Sequence, residues 1–176
     1  MRIIGGKDRG RKLKAPQGIK TRPTLDKVRG AIFNSLFDIS DLDVLDMFGG
    51  SGAMGFEALS RGAPKCVIIE NNKAAFKIME ENKANLCCGD SAELRFSDFK
   101  SSFHRGECFD IIFLDPPYHK GLLEDALLFI CERGLKRENG VIVAETGSDG
   151  EIVLPETGLK LIKEKQYGHT KILFLK

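Results

Sequence analysis

The chain has 176 residues, 42% hydrophobic and 30% charged, which suits one domain with a proper apolar core. No apolar run reaches the ~18 residues of a membrane span, and the charged N-terminus has no apolar block behind it, so neither a spanning helix nor a signal peptide is expected. Five cysteines without CxxC spacing and three scattered histidines point to a reduced, cytoplasmic protein with neither disulfides nor a metal site.

The net charge of +2 hides an asymmetry. Residues 1–29 hold ten Lys or Arg against Asp8 and Asp26, leaving 17 basic against 23 acidic residues in the remainder. A basic arm on an acidic domain suits a polyanion such as RNA or DNA, because phosphate contacts release counterions and need little sequence specificity. A solvated extension that binds nothing is the plainer alternative. Arg2-Ile3-Ile4 and Arg11-Lys12-Leu13-Lys14 flank a Gly-rich turn and predict a β-hairpin with its cations exposed. Pro16 and Gly18 mark a break. Thr24 is placed to cap a helix, with Asp26 in its first turn. Leu25, Val28, Ile32 and Leu36, with Phe33 and Phe37, recur at helical spacing, which turns Arg22, Lys27, Arg29 and Asn34 towards solvent or substrate.

Val44 to Phe48 reads as a strand, followed by a glycine turn and a helical run over Phe56–Arg61. Cys66–Glu70 is a second buried strand and Ala74–Asn82 a helix. Leu86-Cys87-Cys88 predicts a short third strand ended by Gly89-Asp90, with a polar loop or helix over 91–102. Phe109–Leu114 is the fourth strand, Leu122–Glu132 a helix and Gly140–Glu145 the fifth strand. Leu159–Ile162 and Thr170–Leu175 close the chain around Gly168. Alternating strands and helices with a terminal hairpin predict an α/β protein with an open, mostly parallel sheet and one antiparallel member.

Two stretches carry chemistry. Gly50-Ser51-Gly52-Ala53-Met54-Gly55 satisfies GxGxxG between a strand and a helix, where backbone can approach a nucleotide-like ligand closely. The string alone is weak, but Glu70 ends the next strand, where a carboxylate can accept both ribose hydroxyls; a helix-capping role is the alternative. The second stretch is Asp115-Pro116-Pro117-Tyr118 at the end of the fourth strand. The two prolines fix successive φ angles and offer no N–H, so the corner presents carbonyls, one carboxylate and one phenol ring. Such a surface suits a planar group bearing an amine.

Asp46-Met47-Phe48-Gly49-Gly50-Ser51-Gly52, Glu70 and Asp115-Pro116-Pro117-Tyr118 together resemble class I S-adenosylmethionine-dependent methyltransferases acting on exocyclic amines. Arg2-Ile3-Ile4-Gly5-Gly6, Arg22-Pro23-Thr24, Val28-Arg29, Phe33-Asn34, Glu57-Ala58-Leu59-Ser60-Arg61-Gly62-Ala63 and Tyr167-Gly168 with Thr170 narrow the likeness to the RsmD family of 16S rRNA guanine-N2 methyltransferases. The resemblance implies a Rossmann-like seven-stranded sheet with an antiparallel last strand, a basic arm over 1–22 and a methyltransferase domain over 23–176. It implies S-adenosylmethionine as cofactor, held by Asp46, Phe48, Gly50, Ser51, Gly52, Gly55, Glu70 and Asp90, with Asp90 on the adenine amine. Asp115, Pro116 and Tyr118 are the implied catalytic residues. Arg9, Arg11, Lys12, Arg22, Lys27 and Arg29 are the candidates for ribosomal RNA, free or in the small subunit, with the protein acting as a monomer. The chain departs from the family pattern at Gly49, where Ala is usual and Gly is expected only to loosen the turn, in a shorter 83–90 segment, and at Gly30, where an acid often follows Val-Arg. A nicotinamide-dependent oxidoreductase would leave Asp-Pro-Pro-Tyr and the arm unexplained. An adenine-N6 methyltransferase usually carries a further recognition region. An inactive RNA-binding assembly factor has no need of an intact glycine loop. Protein glutamine methylation usually goes with Asn before Pro-Pro-Tyr.

Overall fold

The computed structural model describes residues 1–15, 23–36, 38–117, 121–148 and 154–176. Seven strands form one sheet: β1 (Val44–Asp46), β2 (Cys66–Glu70), β3 (Ala92–Phe96), β4 (Phe109–Leu114), β5 (Lys136–Gly147), β6 (Leu161–Tyr167) and β7 (Thr170–Leu175). Their spatial order is β3-β2-β1-β4-β5-β7-β6. The first five pair in parallel, and β7 runs antiparallel to both β5 and β6, so it alone opposes the rest.

Successive residues of β1, β2, β4, β5 and β7 feed opposite cores, as the period of two requires. Ile68, Ile111, Phe113, Val143, Ile172 and Phe174 share one core with three helices, α1 (Pro23–Phe33), α2 (Ala53–Ser60) and α3 (Lys73–Ala84). Leu45, Val67, Ile69, Ile112, Leu114 and Ile142 share the other with α4 (Leu122–Arg133). Two buried faces explain why β2 and β4 read as continuous apolar runs. No helix among the described residues is long and apolar enough to cross a membrane.

The predicted N-terminal hairpin forms in minimal form. Arg2 and Lys12 make a single antiparallel bridge, and the Ile3 N–H donates to the Arg11 carbonyl at 3.0 Å. Ile3 and Leu13 enter the same core as α1 to α3.

Three local expectations are corrected. α1 begins at Pro23, so Thr24 lies inside its first turn rather than capping it; proline suits the first helical position because its missing N–H has no partner there. The third strand is Ala92–Phe96, not Leu86–Cys88, which forms the turn after α3. Ala92-Glu93-Leu94-Arg95-Phe96 alternates apolar and polar residues, the pattern of a half-buried strand, and its polar face is ion-paired: Arg95 meets Glu93 at 2.6 Å and Glu107 at 2.6 Å. The sixth strand starts at Leu161, two residues after its predicted start, and runs on to Tyr167.

Candidate active site

Parallel strands bring the ends of β1, β2 and β4 to one edge of the sheet, the usual place for ligands in open α/β folds. Asp46 ends β1 opposite Phe113 of β4; Glu70 ends β2; Asp115 follows the last residue of β4. The glycine turn after β1 is tied to these same residues. Gly49 N–H donates to the Ile69 carbonyl at 2.7 Å, Gly50 N–H to Glu70 Oε2 at 2.7 Å, and Gly55 N–H to Asp46 Oδ2 at 3.0 Å. Glu70 Oε1 also accepts the Asn72 N–H at 2.6 Å, so this carboxylate braces both the loop and the start of α3.

Glycine is required here for two different reasons. Gly50 and Gly52 hold φ of 54° and 81°, where a side chain is strained. A Cβ on Gly52 would fall 2.2 Å from the Phe56 ring, whereas one on Gly50 meets nothing within 4 Å, leaving open space for a ligand against its backbone. Gly49 does more than loosen the turn: a Cβ there would sit 2.4 Å from Ile68 Cγ2. Ser51 is buried, and its carbonyl accepts from Asn82 Nδ2 at 2.9 Å. Phe48 is half-buried, its ring 5.4 Å from that of Phe99.

The edge is electrostatically negative. Burial raises the Asp46 carboxyl to about 7, the Gly55 N–H opposing and Glu70 adding to the rise. Asp115 opens to solvent on one side but is crowded by the strand ends on the others. That desolvation, then repulsion from Glu145 and Asp46, holds its carboxyl above the usual carboxylate range. Among the described residues, no Lys or Arg pairs with Asp46, Glu70 or Asp115. Such an edge suits a cationic ligand. Pro116 is buried and Pro117 exposed, which seats the corner with its carboxylate outward. Tyr118 and Arg22 lie outside the described residues.

Two expectations fail. Asp90 sits in a 3-10 turn before β3, and β3 begins opposite Cys66, so Asp90 is at the sheet edge away from Glu70. The acid at the correct edge is Asp98, two residues beyond Phe96, which pairs with Glu70. Asp98 caps the turn Phe99–Ser101 by accepting the Lys100 N–H at 2.8 Å. An acid capping an aromatic turn just after an alternating strand is the signal that could have found it. Arg29 is the second failure. It is 4% exposed, donating to Asp26 Oδ1 at 2.9 Å, to Glu57 Oε2 at 3.4 Å and to the Arg2 carbonyl, so it is a buried structural cation rather than an RNA contact. Arg11 is partly committed, pairing with Asp8 at 2.9 Å and donating to the Asn85 carbonyl at 2.7 Å. Arg9, Lys12 and Lys27 are exposed.

The whole chain, residues 1–176, matches the family model described as conserved hypothetical protein 95. It is 39% identical over 173 residues to ribosomal RNA small subunit methyltransferase D of Haemophilus influenzae, covering 96% of this chain and 89% of that protein. It is 39% identical over 183 residues to the YlbH protein of Bacillus subtilis, covering 100% and 98%. The solved structure of the Escherichia coli protein yhhF superposes with a TM-score of 0.86 at 37% identity, over 99% of this chain and 96% of that one. With a match that spans residues 1–176, and with the sheet order and glycine turn described above, the chain belongs to the family of conserved hypothetical protein 95, which includes the small subunit methyltransferases D.

Proposed function

We propose that this protein transfers a methyl group from S-adenosylmethionine to the exocyclic N2 of a guanine in small-subunit ribosomal RNA. The observation that carries the reading is the convergence, at one sheet edge, of the Asp115-Pro116-Pro117 corner with a glycine loop tied to Asp46 and Glu70. The site fits the cofactor: open space lies against Gly50, and the surrounding carboxyls suit a ligand carrying a sulfonium and an ammonium. When bound, the cofactor supplies a methyl group already activated for transfer.

The chain's own residues supply position. The Gly50 to Gly55 backbone holds the methionine portion, with Asp46 bracing the loop or meeting its ammonium. Glu70 holds the ribose, and Asp98 takes the adenine role first expected of Asp90. Guanine N2 shares its lone pair with the ring and is a poor nucleophile. The Asp115 carboxylate and the Pro116 carbonyl accept its two hydrogens, which draws that lone pair out of the ring plane. Asp115 must be ionised for this, so acidity of the medium opposes the reaction. Tyr118 follows Pro117 directly and stacks on the extruded base; extrusion costs a few kcal/mol, and stacking returns roughly 1–3 kcal/mol. Because the donor is activated, orientation carries most of the acceleration and no strong base is needed. Exposed Arg9, Lys12 and Lys27, with Arg22, contact the RNA backbone, and the protein acts as a monomer.

The test is methyl transfer from labelled S-adenosylmethionine to small subunits, and separately to free 16S RNA, from cells lacking the enzyme. Digestion should recover the label as N2-methylguanosine. Label recovered as N6-methyladenosine or in ribosomal protein, or no transfer with either substrate, would refute the reading.

A further inference from the structure

The glycine loop is also anchored from outside the sheet. Asn82, near the end of α3, is fully buried. Its Oδ1 accepts the Lys14 N–H at 2.8 Å. Its Nδ2 donates to the Lys14 carbonyl at 3.0 Å and to the Ser51 carbonyl at 2.9 Å. One amide therefore pairs both backbone groups of an arm residue, as a neighbouring strand would, and gives its remaining hydrogen to the glycine loop. Lys14 has an N–H to give and a carbonyl to be met, so the amide has one orientation that satisfies all three bonds. The same arm also grips the turn after α3: Asp8 accepts the Cys87 N–H at 3.2 Å, and Arg11 reaches the Asn85 carbonyl. Lys12, exposed and two residues before Lys14, stands among the cations assigned to RNA.

We propose that Asn82 is a positioning residue that couples RNA on the N-terminal arm to S-adenosylmethionine on the glycine loop, an inference that rests on the function proposed above. RNA that fixes the arm fixes Lys14, and through Asn82 it fixes the Ser51 carbonyl, next to Gly50, whose backbone opens onto the cofactor's space. Each ligand orders a shared element, so the second to bind has less freedom to remove, and the coupling is positive. By linkage, the cofactor tightens RNA by the same factor.

The decisive measurement is the affinity for tritiated S-adenosylhomocysteine by equilibrium dialysis, alone and with saturating unmethylated small subunits. The wild type should bind about fivefold or more tightly with subunits present. Asn82→Asp keeps the acceptor for Lys14 N–H but loses the donors, so its affinity drops and the ratio falls to one. Asn82→Ala removes all three bonds without burying a charge. It should also lose the ratio, and it decides the matter if the buried carboxyl brought in by Asn82→Asp prevents folding. A merely structural Asn82 would lower affinity without touching the ratio. A wild-type ratio of one, or variants that keep the full ratio, would overturn the coupling. No binding of S-adenosylhomocysteine by the wild type would instead sink the methyltransferase reading beneath it.

Discussion

Strands β1 and β4 lie side by side and carry acids at both ends, with opposite fates. Where the strands enter the sheet, Asp43 and Asp110 share Arg137, which donates Nη2 to Asp43 at 2.7 Å and Nη1 to Asp110. Asp110 also accepts the Asp43 N–H at 2.9 Å. Where the strands leave it, Asp46 and Asp115 have no such cation among the described residues, and each stands in a field that raises its carboxyl. The entry acids are compensated and hold the sheet together. The exit acids, without a cation partner among the described residues, are held in that field at a cost in stability, an arrangement that suits a positive ligand.

The largest effect expected from this contrast is on Asp115. Asp115→Ala should lower single-turnover methyl transfer by about a hundredfold or more while S-adenosylhomocysteine affinity changes far less. Near wild-type turnover would erase the distinction between the two ends. Asp46 gives the next effect. Its folded value lies above the unfolded one, so the folded state holds a proton that the unfolded state releases, and stability falls as pH rises from about 4 to about 7. The loss is on the order of 4 kcal/mol at most. Asp46→Asn should lack that slope in urea denaturation at pH 5 and pH 8. Wild-type affinity for S-adenosylhomocysteine should rise through about pH 7, as the ionised carboxylate meets the ammonium, and flatten in the variant. Arg137→Gln should be mildest. Its side chain is 41% exposed, so solvent screening holds the expected loss to about 1 kcal/mol or less, with turnover unchanged. A collapse of activity there would mean that the entry acids also serve the chemistry.

Much of this was legible in the residues because the determinants are local. β2 and β4 are apolar on both faces, and the proline corner and the glycine turn encode their own backbone geometry. What escaped depends on partners far away in the chain. Arg29 looked like one of a row of surface cations because Glu57, 28 positions on, is invisible from α1 alone. β3 alternates apolar and polar residues as a half-buried strand does, but its charged face, completed by Glu107 in a later loop, reads in sequence as a polar loop. Placing that strand too early put the expected cofactor acid at Asp90, whereas the acid just beyond the C-terminal end of β3 is Asp98. Asn82 looked like the ordinary end of a helix, since neither Lys14 nor Ser51 is near it in sequence.

Glu57 has a practical consequence. This fully buried carboxylate accepts the Ile4 and Gly5 N–H groups at 2.8 Å each, besides the side chains of Arg29 and Arg61. Shaving off the first five residues would leave a negative charge in the interior short of two donors, a loss of several kcal/mol before any nucleic acid is offered. An amputated protein that no longer binds ribosomes would therefore report a damaged interior; charge reversals at the exposed tips, made on an intact N-terminus, are the cleaner probe of RNA contact.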